Sequence, residues 1–307
     1  MLVRILDLDG AVTPQAALAS DAPAIVPLRD WGPAIRICCS FGRFRRFERE
    51  LAERSAADAG EPAIRFCGSG DFHHVTVALL RQIREPFNLL IVDKHPDWVG
   101  HAPLMHCGTW VNHALAHPQL ARLFHVGADL DLDNVFRWVA PWWALESGKA
   151  VAFPAVRRLS RGRWERVPTR PLRAEPDRPM APERLDEVCG GLRGELARLP
   201  LYVTIDKDVM RPADALVNWD SGRLELSEIL RIVQWFVAAA DGRLLGMDVM
   251  GDWSPPRVHG LLRRALDKAE RAAYRFDPSE AAARNGRTNR ALVDAVRQAI
   301  AARAARR

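Results

Sequence analysis

Asp93-Lys94-His95-Pro96-Asp97 puts three potential metal ligands into five positions. Two carboxylates and an imidazole, with no thiolate among them, suit Mn, Zn or Fe in a catalytic site better than a structural zinc cage. The motif follows Leu89-Leu90-Ile91-Val92, a short aliphatic run that reads as a buried parallel strand. Its side chains therefore leave the C-terminal end of a strand, where open α/β sheets hold their ligands. Two further strand ends carry the same chemistry. His73 follows Ala63–Cys67 by way of Gly68-Ser69-Gly70-Asp71-Phe72, with His74 in reserve, and Asp206 and Asp208 follow Leu201–Ile205. Six oxygen and nitrogen donors suffice for two metal ions when some carboxylates bridge.

Only a parallel sheet would bring these ends to one edge. Eight apolar runs are expected as strands: Leu2–Leu8, Ile35–Ser40, Ala63–Cys67, Leu89–Val92, Arg122–Val126, Ala150–Phe153, Leu201–Ile205 and Leu244–Val249. Helices are expected over Phe44–Ala57, Val75–Ile83, from a Thr109 N-cap to Ala116, and over Val135–Ser147, Pro182–Leu199 and Leu226–Ala239. Two more, Val258–Tyr274 and Ser279–Ala304, close the chain. This alternation predicts an α/β fold with three αβα layers around a central, mostly parallel, roughly eight-stranded sheet. Thr13 to Pro27 reads as a surface loop. Pro154 to Pro179 reads as an irregular excursion with a hairpin around Ser160-Arg161-Gly162, and Asp129-Leu130-Asp131-Leu132-Asp133 as a solvated acidic turn. Trp138, Trp142 and Trp143 are expected to pack their helix. No repeat or dividing linker is present, so residues 1–307 are expected as one domain.

Hydrophobic content of 48% over 307 residues supports a sizeable core. The five cysteines are odd in number and show no CxxC pair, which fits a reducing cytoplasm. No apolar run reaches membrane-span length and no signal-peptide pattern opens the chain, so a cytoplasmic protein without a membrane partner is expected. The net charge of +6 is local. From Arg257 onward 13 Lys and Arg face 5 Asp and Glu, while the remaining 31 basic and 33 acidic residues nearly balance. This is a basic C-terminal helix at about 279–305, read as solvated, and no nucleic-acid partner is expected.

Four stretches together resemble the arginase/agmatinase (ureohydrolase) family. Gly70-Asp71-Phe72-His73-His74-Val75-Thr76 resembles GGDHS and the helix after it, and Asp93-Lys94-His95-Pro96-Asp97 resembles DAHxD. His106-Cys107-Gly108-Thr109 resembles HGT, and Thr204-Ile205-Asp206-Lys207-Asp208 resembles SxDxD. Phe72 and Cys107 are extra residues within their motifs.

The resemblance implies an arginase-like fold and a binuclear Mn²⁺ hydrolase that cleaves a guanidino-type C–N bond and releases urea. His73 would bind one Mn²⁺ and His95 the other, Asp93 and Asp206 would bridge, and Asp97 and Asp208 would complete the set. Asp97 would also orient the attacking water, and His106 would pass a proton to the leaving amine. Gly251 stands where the family carries a guanidinium-pairing Glu, so Asp252 is the candidate after a one-residue shift. Arg211-Pro212 replaces the usual Asp-Pro, and the loop from Asp97 to His106 lacks the Asn and Ser with which arginases hold an α-carboxylate. The expected partner is therefore a small-molecule or peptide-borne guanidino substrate, with free arginine disfavoured, and a homo-oligomer is compatible with the resemblance.

Two competing readings keep the same fold. One is a mononuclear deacetylase-like amide hydrolase with Asp93, His95 and Asp206 around zinc, for which His73, Asp97 and Asp208 would be superfluous. The other is a non-catalytic binding protein. Separately, Asp7-Leu8-Asp9-Gly10 resembles the first motif of haloacid dehalogenase phosphatases, but the Lys and acidic pair such an enzyme needs cannot be placed.

Overall fold

The computed structural model describes residues 1–55, 61–100, 103–128, 138–155, 162–167, 170–175, 177–257 and 275–304. Their strands are β1 Leu2–Asp7, β2 Ala24–Pro27, β3 Cys38–Cys39, β4 Ala63–Phe66, β5 Phe87–Val92, β6 Met105–His106, β7 Leu120–Val126, β8 Ala150–Phe153, β9 Leu201–Asp206 and β10 Leu244–Met250. Eight of them form one sheet in the order β2-β1-β4-β10-β9-β5-β7-β8, and every pairing in it is parallel. β5 and β9 lie at its centre and are buried at every position, as strands covered on both faces must be.

One transverse row crosses the whole sheet: Ile25, Ile5, Phe66, Val249, Ile205, Val92, Val126 and Phe153 are successive partners. All but the edge residue Ile25 face the core formed with helices Arg184–Cys189, Leu226–Ala239 and Pro278–Ala304. The alternate residues Leu6, Leu89, Ile91 and Tyr202 face a second core with helices Phe41–Arg54, Val75–Leu80 and Trp110–Leu115. Strand periodicity thus sends neighbouring side chains into opposite layers and leaves the C-terminal ends aligned.

The expected eight strands are matched in number, but one is exchanged. Ile35–Ser40 does not enter the main sheet. Gly32–Ile35 is a short helix, Ile37 has φ 66°, and only Cys38–Cys39 extends, pairing antiparallel with Met105–His106. The missing strand is β2, within the expected surface loop. Its pattern is mostly exposed because it is an edge strand, so no apolar run announces it. The expected helix Pro182–Leu199 is broken at Gly190-Gly191 into shorter turns. Trp142–Glu146 is the described helix of the tryptophan segment. Trp138 and Trp143 are exposed rather than packed inside. The Asp129–Asp133 turn, the Ser160–Arg161 hairpin and the Val258–Tyr274 helix lie outside the described residues. No described helix is long and apolar enough to cross a membrane.

A buried ion pair anchors the irregular excursion to the helix Leu226–Ala239. Glu228, fully buried at the start of Leu226–Ala239, accepts Arg173 Nε at 2.9 Å and the Met180 amide at 2.6 Å, and Arg173 reaches it through a second nitrogen as well. Glu228→Ala leaves a buried guanidinium uncompensated and should cost about 3–5 kcal/mol in equilibrium urea unfolding. A loss under about 1 kcal/mol would refute that account.

Candidate metal centre

β5 and β9 are neighbours, so Asp93, just past β5, and Asp206, the last residue of β9, emerge side by side. Each carboxylate then folds its own loop back. Asp93 Oδ1 accepts the His95 amide at 2.7 Å, and Asp206 Oδ1 accepts the Asp208 amide at 3.1 Å. Such Asx-type turns direct the next ligand-type side chain into the same space. His73 arrives from β4 through a short turn capped by Ser69. Two glycines permit the approach. A Cβ on Gly70 would lie 2.5 Å from Asp206 Oδ2, and one on Gly251 (φ +89°) would lie 2.6 Å from Asp206 Oδ1.

The side chains converge. His73 Nδ1 lies 3.1 Å from Asp93 Oδ2, 3.2 Å from Asp97 Oδ2 and 3.7 Å from Asp206 Oδ2. His95 Nδ1 lies 2.7 Å from Asp208 Oδ2. His73, Asp93 and Asp97 can bring donor atoms within 4.8 Å of one another, and so can Asp93, His95 and Asp208. Asp93 belongs to both groups. His74 turns away, packs on Phe44 at 5.8 Å, and is depressed to a pKa of about 3, chiefly by burial. The structure therefore brings His73, and not His74, to the cluster.

The cluster is short of positive charge. Burial, reinforced by neighbouring carboxylates, raises Asp93 and lifts Asp206 well above the usual carboxylate range, and burial raises Asp208. Burial also opposes charge on His73 and His95. There the carboxylates win: Asp93 and Asp97 around His73, Asp208 and Asp220 around His95, lifting both rings well above the usual histidine value. Burial and crowded carboxylates that push Asp93, Asp206, Asp208, His73 and His95 all upward mark a site that favours added positive charge. The buried atoms His73 Nδ1 and Asp93 Oδ2 have no hydrogen-bond partner although they lie 3.1 Å apart. Donors crowded this way, all oxygen and nitrogen, fit divalent metal ions.

Asp97 sits in left-handed backbone (φ 48°), an uncommon conformation for a residue with a side chain, and Trp110 Nε1 donates to its Oδ2 at 2.8 Å. His106 Nδ1 accepts the Gly108 amide at 2.9 Å, and burial lowers its pKa. Cys107 is buried, and its amide bonds the Ile37 carbonyl. The extra Phe72 is fully buried in the core.

Asp252 departs from expectation. It is fully buried, bound to Lys207 Nζ at 2.7 Å, Gln15 Nε2 at 2.6 Å and Asn289 Nδ2 at 3.1 Å. A carboxylate committed to an internal lysine is not available to a guanidinium, which corrects the role expected for it. Asp7 likewise pairs with Arg29 at 2.7 Å, and Asp9 is buried and bonded to Ser254 Oγ, an arrangement that leaves no phosphatase nucleophile.

Sequence reasoning gave no role to Asp220, which lies 3.2 Å from His95 Nε2, nor to Trp110. Asp220 stands twelve residues past Asp208 in irregular chain, where no periodicity marks it. Thr204 stood inside a quoted motif and Asp248 inside an expected strand, and their strand parity with the ligand-type positions was the available signal.

Solved structures share this architecture. An agmatine ureohydrolase of Thermoplasma volcanium is 13% identical, with 97% of this chain and 89% of that one covered at a TM-score of 0.55. Arginases from Bacillus cereus and Bacillus subtilis are each 11% identical, at TM-scores of 0.55 and 0.56. Those two alignments cover 96% of this chain and 96% and 97% of the others. The chain has the arginase–agmatinase fold. No family model matches it. An uncharacterized protein of Thermotoga maritima is 22% identical over 253 residues, 82% of this chain and 80% of that protein. On the arginase-like sheet, the ligand-type residues occupy the C-terminal edge across β4, β5 and β9.

The raised histidines make a pH prediction. His73 and His95 hold protons in the folded state at pH values where the unfolded chain has released them. Their contribution is fully present below the unfolded value of about 6.5 and is lost as pH rises through the folded values. Histidines depressed by burial, such as His74 and His125, act only below that pH. Chelator-treated protein should therefore lose thermal stability as pH rises above about 6.5, and saturating Mn²⁺ should flatten the slope. A melting temperature in chelator that instead rises with pH there would contradict the charge balance described.

Proposed function

We propose that the chain is a binuclear metal-dependent hydrolase of a guanidino-type C–N bond, agmatinase- or arginase-like in its chemistry. The observation that carries this is Asp93, shared by two donor groups that each contain their own histidine. His73, Asp93, Asp97 and Asp206 would hold one cation, and Asp93, His95, Asp206 and Asp208 the other. Mn²⁺ suits so oxygen-rich a set. When bound, the pair supplies Lewis acidity and a water made acidic enough to act as nucleophile near neutral pH.

The remaining tasks fall to the chain. Asp97, pinned by Trp110, can accept a proton from the attacking water and hold that water's orientation. His106 has Nδ1 occupied by the Gly108 amide, so Nε2 is the ring atom that can take up a proton and pass it to the leaving amine. Burial keeps this ring neutral near pH 7, ready to receive that proton. The substrate's cationic end is not assigned to Asp252. Agmatine, another guanidino compound or an arginine side chain within a larger molecule all fit better than free arginine. A mononuclear, deacetylase-like site is disfavoured because it gives His73 and Asp97 no task. Five free, buried cysteines support a cytoplasmic location.

Elemental analysis after Mn²⁺ loading should give two ions per chain, with urea released from at least one member of a guanidino panel. Asp93→Asn should lose both ions and His95→Ala mainly one. Equal retention in the two variants would reject the bridging role.

His106→Ala should keep both ions while kcat falls about 10²–10⁴-fold. Loss of an ion would make His106 a ligand, and an unchanged rate would remove it from proton transfer.

A further inference from the structure

His73 and His95 both turn Nδ1 into the carboxylate cluster, so whatever holds Nε2 sets the tautomer and aim of each ring. Behind His73, Nε2 lies 3.0 Å from Thr204 Oγ1. The Thr204 hydroxyl donates to Asp248 Oδ1 at 2.5 Å, and Asp248 also accepts from Thr76 Oγ1 at 3.1 Å and Tyr202 OH at 2.9 Å. A hydroxyl whose one proton goes to a carboxylate offers the ring only lone pairs, so Nε2 must be the donor. Behind His95, Nε2 lies 3.2 Å from Asp220 Oδ1, while Nδ1 meets Asp208 Oδ2 at 2.7 Å; with a cation in place of the proton between Nδ1 and Asp208, the remaining ring proton goes to Asp220, whose ionised carboxylate can only accept. Asp220 is itself held by the Lys94 ammonium. None of Thr204, Asp248 and Asp220 belongs to either donor group.

We propose that the Thr204–Asp248 pair and Asp220 are positioning residues that lock His73 and His95 with the proton on Nε2 and Nδ1 aimed into the cluster. The inference deepens the metal reading above and rests on it. The two braces differ in kind. Thr204 and Asp248 are fully buried in the sheet, whereas the Asp220 side chain is 55% exposed on an irregular segment. One ring is thus held by the core and the other by the surface.

Mn²⁺ titration of the full chain, followed calorimetrically, tests the braces. Thr204→Val should weaken one binding step about 10–100-fold and Asp220→Ala the other, while Thr204→Ser restores the parental value. In ¹⁵N-histidine-labelled protein loaded with diamagnetic Zn²⁺, both rings should carry their proton on Nε2. Parental affinity in Thr204→Val and Asp220→Ala, or a ring proton on Nδ1, would overturn the proposal. If Thr204→Val does not fold, Asp220→Ala on the surface decides by the same affinity criterion. If the wild-type chain takes up neither Mn²⁺ nor Zn²⁺, it is the metal reading that falls. The braces are then judged in metal-free protein at alkaline pH, where neutral rings protonated on Nε2 uphold them and rings protonated on Nδ1 overturn them.

Discussion

Four aspartates meet two histidines at one edge of a parallel sheet, and among the described residues no lysine or arginine pairs with those aspartates. This crowding is the constraint to which the surrounding structure answers. Lys207 lies in sequence between Asp206 and Asp208, yet it turns away to pair with Asp252 and Asn289 in a dry layer beneath. Burial lowers the Lys207 pKa while Asp252 supports its charge. Turned the other way, the ammonium would neutralise the cluster and remove its attraction for metal ions. The alternation of strand-end side chains therefore does electrostatic sorting, with carboxylates above and their potential neutraliser below. Asn289 carries this arrangement into the C-terminal helix, so the basic final segment is tied to the floor of the site rather than trailing from it.

The sequence made the centre of the sheet legible because burial on both faces demands continuous aliphatic runs. Leu89–Val92 and Leu201–Ile205 could be placed within a residue or two for that reason. The ligand positions followed, since a parallel sheet has one edge where all strands end. The periphery was harder. β2 exposes three of its four residues and satisfies its backbone against a single neighbour, so composition does not distinguish it from a loop. The Ile35–Ser40 run misled in the opposite direction. It is apolar because Ile35, Ile37, Cys38 and Cys39 are buried in side-chain clusters, not because it joins the main sheet, and Ile37 in left-handed backbone breaks its extension. Asp252 shows the limit of motif alignment. A one-residue shift keeps the residue type but reverses strand parity, and parity decides which layer a side chain enters.

Parity also explains what lies behind the two rings that face the cluster. Thr204 precedes Asp206 by two on β9 and Asp248 is its partner across β10, so the acceptor behind His73 comes from strand geometry alone. His95 lies beyond the last strand residue, where no ladder can supply a partner. Its backbone is held instead by the buried His125, whose Nε2 lies 3.0 Å from the His95 carbonyl oxygen, and its ring by Asp220. The further a ligand stands from the sheet, the more its orientation depends on loops.

Parity and backbone also limit what the end of β10 can present to the site. Position 251 is closed to any side chain: φ is +89°, and a Cβ would lie 2.6 Å from Asp206 Oδ1 and 2.7 Å from the Lys207 amide nitrogen. A carboxylate cannot be supplied from the end of β10 without displacing Asp206. With Asp252 already paired below, neither residue that follows β10 offers a free carboxylate to the site. Facing it, Trp219 lies with its ring 6.1 Å from His95, and the half-exposed Asp220 is already held by the Lys94 ammonium and His95 Nε2. Asp220 is therefore committed by the same criterion as Asp252. Among the described residues, the acids at this edge that meet no lysine or arginine are the four of the cluster itself, which pair with its histidines alone.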